Sequence, residues 1–193
     1  HADRPAVAPD QGLTVGPALR WPGPKASSAN RADEIAASGP LHGLLDQMSE
    51  RGHDNMLERT WAGSLARLYT PSRYLFHALQ MASAYLSQMA PASTISNCAT
   101  YQTADSLRWL THTAYRTKEL SKTFGDIGLG QDERRYWEED PAWQGFRELV
   151  ETALVAWDWA EAFVAFSLVI RPAVEETVLR ALGQAGRHNG DTQ

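Results

Sequence analysis

The sequence predicts an all-α protein, and three observations carry that expectation. Large apolar residues recur at three- and four-residue spacing through most of the chain after Leu41, the period of a helix face. Prolines stand where those stripes begin or stop, at Pro71, Pro91, Pro141 and Pro172. No alternating apolar and polar stretch survives as a strand. A chain of 193 residues is long enough for one helical domain with its own core.

Residues 1–40 are expected to form a disordered arm. They carry Pro5, Pro9, Pro17, Pro22, Pro24 and Pro40 and few large apolar residues to bury. From Leu41 the character changes: Leu41, Leu44, Leu45, Met48, Met56, Leu57, Trp61, Leu65 and Leu68 form a helical stripe, with Gly52 as an interruption. Thr70 is expected to cap a second helix and Pro71 to occupy its first turn. Its stripe is Leu75, Leu79, Ala82, Leu86 and Met89. The remaining faces hold Ala, Ser, Tyr and Gln with almost no charge, which predicts a helix covered on several sides.

Pro91 ends that helix, and a third is expected from about Ser93 to Thr123. Its first half is polar yet uncharged, with Asn97, Cys98, Gln102 and Ser106, while Lys118 and Lys122 suit the negative end of the helix dipole. The GDIGLG run at 125–130 reads as a helix connection, because it lacks both the preceding strand and the lysine of a phosphate loop. A short charged helix follows over 131–139. Pro141 then opens a long helix to about Ile170, with Phe146, Leu149, Leu154, Trp157, Phe163, Phe166 and Leu168 on its apolar face. Arg171-Pro172 is expected to kink or end it, and a last helix to cover roughly 172–183. The helical domain is placed at 41–185, and 186–193 is read as a flexible tail.

Composition narrows the function. The balance of 18 Lys+Arg against 23 Asp+Glu is mildly acidic, which argues against nucleic acid as a partner. The charges are interspersed, so no polybasic membrane patch stands out. Ala160–Ile170 is the most apolar stretch but is too short to span a bilayer and contains Glu161. The single Cys98 excludes an internal disulfide and a thiolate zinc site, and fits a reducing, cytoplasmic setting. The N-terminus shows no signal-peptide pattern, and it begins at His1 rather than Met. Seven Trp residues hint at partner surfaces as well as core.

Candidate chemistry is sparse. A carboxylate-bridged diiron site in a helical bundle takes two lone Glu and two Glu-x-x-His pairs on facing helices. This chain offers one such pair, Glu50 and His53, with Gly52 between them. His77 and His112 have no carboxylate three residues before them. Asp158 and Glu161 are helix neighbours that could serve acid–base work, although pairing with Arg is the simpler expectation. Glu148 and Glu151 read as an outward face. Cys98, Ser93, Ser96 and Ser106 sit in no nucleophile pattern.

Three long ungapped blocks carry a resemblance: YTPSRYLFHALQMASAYLSQMAPASTISNC, QTADSLRWLTHTAYRTKELS and DWAEAFVAFSLVIRP. With LLDQMSERGHDNMLERTW upstream, the chain from about Leu41 to Glu176 resembles the β subunit of the toluene/aromatic monooxygenase hydroxylases. The resemblance implies a ferritin-like helical bundle. It implies a non-catalytic structural subunit of an α₂β₂γ₂ oxidoreductase, with the diiron centre in α and no cofactor in this chain. A coupling protein, a Rieske ferredoxin and an NADH reductase would complete the system, which would serve aromatic hydrocarbon catabolism. An α-type third helix would carry Asp-Glu-x-Arg-His; here the run is Asp105-Ser106-Leu107-Arg108-Trp109. The resemblance thus implies that Ser106 replaces a bridging Glu and Trp109 a His ligand. The preceding helix offers Gln80 and Met81 where a carboxylate belongs, and Glu161 stands where a lone ligand Glu would. Neutral groups are then expected to refill the former site, because carboxylates buried without the metal would lack a counter-charge.

The family chain also continues past residue 193 with further helices, so a truncated bundle and an authentic short C-terminus both stand open. No catalytic residue is assigned. His53, Trp61, Tyr74, His77, Trp109 and His112 are the expected interface residues. The alternatives are a small independent enzyme using Glu50, His53, Asp158 and Glu161, and a helical adaptor with no role in oxygenation.

Overall fold

The computed structural model describes residues 52–191, together with the helical positions Gly43 and Gln47. The proline-rich start and the stripe residues Leu41, Leu44, Leu45 and Met48 lie outside the described residues, as does Glu50. The described part is helical throughout and contains no strand. A 3₁₀ turn at His53–Met56 leads into α1 (Arg59–Leu68), α2 (Ser72–Met89) and α3 (Ser93–Thr123). After a short 3₁₀ turn at Gly125–Ile127 come α4 (Glu133–Glu139) and α5 (Pro141–Leu154). A C-terminal helix then runs from α6 (Trp159–Phe163) through a π-helical stretch Val164–Ile170, α7 (Arg171–Val174) and a second π-helical stretch Glu175–Ala181 into α8 (Leu182–His188).

Helices α2 and α3 form an antiparallel hairpin around Pro91. The apolar stripe of α2 is buried at Leu75, Leu79, Ala82 and Leu86, and Phe76, Ala78 and Ser83 extend that burial to neighbouring faces, whereas His77, Met81 and the stripe residue Met89 are exposed. The principal core joins α2 to Trp137 of α4, Trp143 and Val150 of α5, and Phe166, Ile170, Val174 and Val178 of the C-terminal helix. A second core gathers Leu57, Trp61 and Leu65 with Leu120 and Phe124 at the end of α3 and Leu129 in the glycine loop. That loop is the expected helix connection. Gly128 has a φ of 81°, and a Cβ there would strike the carboxylate of Asp132.

Four local expectations are corrected. Thr70 does not cap α2: its hydroxyl turns back and donates to the Ala66 carbonyl at 2.8 Å, closing α1 instead. The long helix expected over 141–170 breaks after Leu154, because Asp158 accepts hydrogen bonds from the amides of Ala160 (2.8 Å) and Glu161 (3.2 Å) and starts a new helix. Its expected apolar face divides accordingly. Phe166 is buried, but Leu149, Leu154, Leu168 and above all Trp157, 94% exposed, face outward.

Third, of the two outcomes expected at Arg171-Pro172, a kink or an end, the end is excluded: the helix runs on through both residues. The Arg171 amide bonds five residues back to Phe166, a π-type bond in the stretch just before the proline. That wider turn is the local adjustment by which a helix passes a proline that cannot donate. Fourth, the described part of the segment read as a flexible tail, residues 186–191, is built into the domain. α8 continues to His188, and Asp191 is buried.

Candidate functional site

The resemblance directs attention to Ser106 and Trp109 on α3. Ser106 is 1% exposed, and its hydroxyl donates to the Gln102 carbonyl one turn earlier at 2.7 Å. Across from it, the C-terminal helix delivers Arg171. One guanidinium nitrogen, Nη2, donates to Ser106 Oγ at 2.9 Å, to the Gln102 carbonyl at 3.2 Å and to Ser83 Oγ of α2 at 3.4 Å. Ser167, one turn before Arg171, donates to the Gln102 side chain at 3.0 Å. Three helices are thereby joined around one cation by neutral oxygens.

This overturns one expectation. The position was expected to be refilled by neutral groups, and neutral groups do line it, but its centre is an arginine. Burial lowers the Arg171 pKa, with the more distant charges of Glu175 and Asp105 opposing that shift. The sequence signal was present in Arg171-Pro172, yet it read only as a helix breaker. The π-helical turn that passes the proline also fixes which way residue 171 faces, and spacing by 3.6 does not anticipate that.

Trp109 lies one turn from Ser106 and is 41% exposed. Its ring stacks on Phe76 of α2 at 6.1 Å and meets His112 edge-on at 6.2 Å. A pocket of about 220 Å³ opens beside it, lined by Phe76, Leu79, Ser106, Trp109, Arg171 and Val174 among others.

The donor set here does not fit a pair of iron ions. Iron needs anionic oxygens and imidazoles, whereas Ser106, Gln102, Ser83 and Arg171 supply hydroxyls, amide oxygen and a positive charge. Among the described residues no group of three or more His, Cys, Asp or Glu could hold a metal.

The other singled-out residues are scattered. His53 sits in the first 3₁₀ turn, its Nδ1 3.6 Å from Asp54 Oδ1. Trp61 and His112 are interior to the chain, at 7% and 9% exposure, so neither presents a surface of any size. Trp61 Nε1 donates to Asp191 at 3.1 Å. Tyr74 is partly buried and stacks on Trp137 at 5.6 Å. His77 is exposed on α2, and so is Met81, while Gln80 is partly buried. Asp158 and Glu161 are not an acid–base pair: Asp158 is a helix cap and Glu161 an exposed first-turn carboxylate. Glu151 pairs with Arg147 at 2.8 Å on the outside of α5. Cys98 is exposed.

A buried charge cluster went unnoticed in the sequence. Arg116 of α3, 6% exposed, grips both oxygens of Asp54 at 2.7 and 2.9 Å and reaches Asp191 at 3.3 Å. It lies ten residues beyond Ser106 along α3 and ties the turn at Asp54 to Asp191.

Comparisons with known proteins agree with this architecture. The hydroxylase component β subunit of the toluene-4-monooxygenase system of Ectopseudomonas mendocina is 58% identical over 152 residues, covering 79% of this chain and 46% of that protein. The phenol 2-monooxygenase oxygenase component DmpL of Pseudomonas sp. (strain CF600) is 28% identical over 127 residues, 65% of this chain and 38% of that one. This chain therefore spans about half, or less, of the length of the curated relatives it matches. The structure of toluene 4-monooxygenase with toluene in its resting active site superposes with a TM-score of 0.80 at 53% identity, over 86% of this chain and 55% of that one. Phenol hydroxylase from Pseudomonas sp. OX1 shares the fold, with a TM-score of 0.70 over 87% of this chain and 50% of that one. The family model for methane, phenol and alkene hydroxylases matches residues 36–193, and the chain belongs to that family.

Proposed function

We propose that this chain is a structural β subunit of a multicomponent diiron monooxygenase hydroxylase and carries no catalytic site of its own. Its partner would be an α chain holding the two irons, within an α₂β₂γ₂ assembly served by a coupling protein, a Rieske ferredoxin and an NADH reductase. The reaction of the whole would insert one atom of O₂ into an aromatic or alkene substrate, with α setting the substrate.

One observation carries this reading: the Arg171 guanidinium bonded to Ser106, at the register where the resemblance puts a bridging glutamate. A fixed cation there repels ferrous ions and substitutes for the positive charge that a metal pair would bring. The similarity to a hydroxylase β subunit supports the same conclusion. The half-exposed Trp109 and the exposed His77 are the surface side chains we assign to subunit contact. Replacement of ligands by a cation also disfavours the independent-enzyme reading, and family membership disfavours an unrelated adaptor.

The test is to load this chain anaerobically with ferrous iron, alone and co-purified with an α chain that bears two Glu-x-x-His pairs, and to count iron after desalting. Substoichiometric iron on this chain and about two irons per αβ pair are expected. About two irons held by this chain alone would overturn the proposal.

A further inference from the structure

We propose that the turn at residues 155–158 docks into the α chain, with Trp157 entering an apolar recess rimmed by Lys or Arg; the proposal rests on the β-subunit reading. Trp157 is 94% exposed, more than any other large apolar side chain among the described residues, and Val155 beside it is 73% exposed. A wetted indole leaves a large apolar surface unburied, and Trp is enriched among the few residues that carry most of an interface's binding energy. The turn that presents it is firmly built. The Trp157 carbonyl accepts from the Tyr85 hydroxyl of α2 at 2.9 Å. The Val155 and Ala156 amides donate back to the carbonyls of Thr152 (3.4 Å) and Ala153 (3.2 Å). On the other side Asp158 caps α6. Ala156 and Trp159 pack against the small core of Leu86, Ala99 and Ala162. The ring therefore projects from a fixed backbone, and little ordering entropy opposes docking.

Charge selects the partner. Residues 148–170 contain four carboxylates, Glu148, Glu151, Asp158 and Glu161, and no Lys or Arg. Arg147 offsets only Glu151, at 2.8 Å. The hairpin strand of the argument is neutral: residues 74–104 of α2 and α3, which supply Tyr85, Leu86 and Ala99 to this end of the bundle, contain no Asp, Glu, Lys or Arg. The surface around Trp157 is thus apolar and acidic. Complementary potential requires cations on the partner around the recess that takes the ring. The same charge opposes a second copy of this chain, which would set carboxylates against carboxylates, and it opposes an anionic membrane surface. The α chain is the remaining occupant, the one a β subunit has to hold.

The experiment titrates this chain and its Trp157→Ala variant into an α chain that bears two Glu-x-x-His pairs, at low and at high salt, and follows complex formation by sedimentation velocity. Trp157→Ala should weaken binding at least about tenfold. Wild-type affinity should fall as salt rises, because the rim contacts are exposed charges. The variant's own urea midpoint should match wild type, since the lost ring is in solvent. Wild-type affinity retained in Trp157→Ala, or affinity indifferent to salt, would refute this inference and leave the β-subunit reading standing. No complex between α and the wild-type chain would overturn both. A dimer of this chain alone that Trp157→Ala abolishes would make a second copy the occupant and refute the assignment to α.

Discussion

Replacing Asp54 by alanine should destabilise the domain by about 3–5 kcal/mol, the usual cost of stranding one member of a buried ion pair. Arg116 exposes only 6% of its surface and makes a two-pronged contact with Asp54 at 2.7 and 2.9 Å. Without Asp54 the guanidinium keeps a single longer bond, 3.3 Å to Asp191, and stays too enclosed to recover its hydration. The loss reaches further than one contact, because Arg116 holds the His53–Met56 turn and Asp191 to the end of α3. Urea unfolding followed by circular dichroism measures it. An Asp54→Ala/Arg116→Met double variant should lose less than the two single variants combined, since removing both charges leaves neither one stranded. A loss below about 1 kcal/mol in Asp54→Ala, the range of an exposed pair, would show that the cluster is hydrated and that the reasoning fails.

Phe166→Ala should cost about 3–5 kcal/mol, since the ring is 2% exposed where α2 and the C-terminal helix meet; the urea midpoint reports it, and an unchanged midpoint counts against that core assignment. Asp140→Ala should cost about 1 kcal/mol at neutral pH, because its carboxylate caps α5 through the Ala142 amide at 2.9 Å. The Arg67 hydrogen bond, followed by the Ala142 amide, holds the Asp140 pKa below its ordinary 3.8. The stabilisation is therefore complete above 3.8 and disappears as pH falls through the depressed folded value. Wild-type and variant unfolding midpoints should accordingly converge in acid; a gap that widens on acidification would contradict the assignment.

How much of this was legible beforehand differs from element to element. The bounds of α3, Ser93–Thr123, agree with those read from Pro91 and the glycine loop, because chain-breaking residues act locally. The break after Leu154 was legible too. Asp158-Trp159-Ala160-Glu161 is a capping-box pattern, but the surrounding apolar residues masked it. Trp count was a poor guide to surfaces: Trp61, Trp137 and Trp143 are core residues, while Trp109 and Trp157 are exposed. The Glu50–His53 spacing remains a sequence observation, since Glu50 lies outside the described residues.

By itself, then, the sequence determined the helical class, the helix break at Pro91, the loop at 125–130 and, through long matching blocks, the family. Each of these depends on period, chain-breaking residues or residue identity, which are properties of neighbours in the chain. Only the tertiary structure decided that Arg171 is the cation set against Ser106, and that Arg116 joins Asp54 to Asp191. Those contacts span 65, 62 and 75 residues. They depend on how a π-helical turn rotates one helix against another and on which charges packing seals from water. Neither is encoded in any short window of sequence.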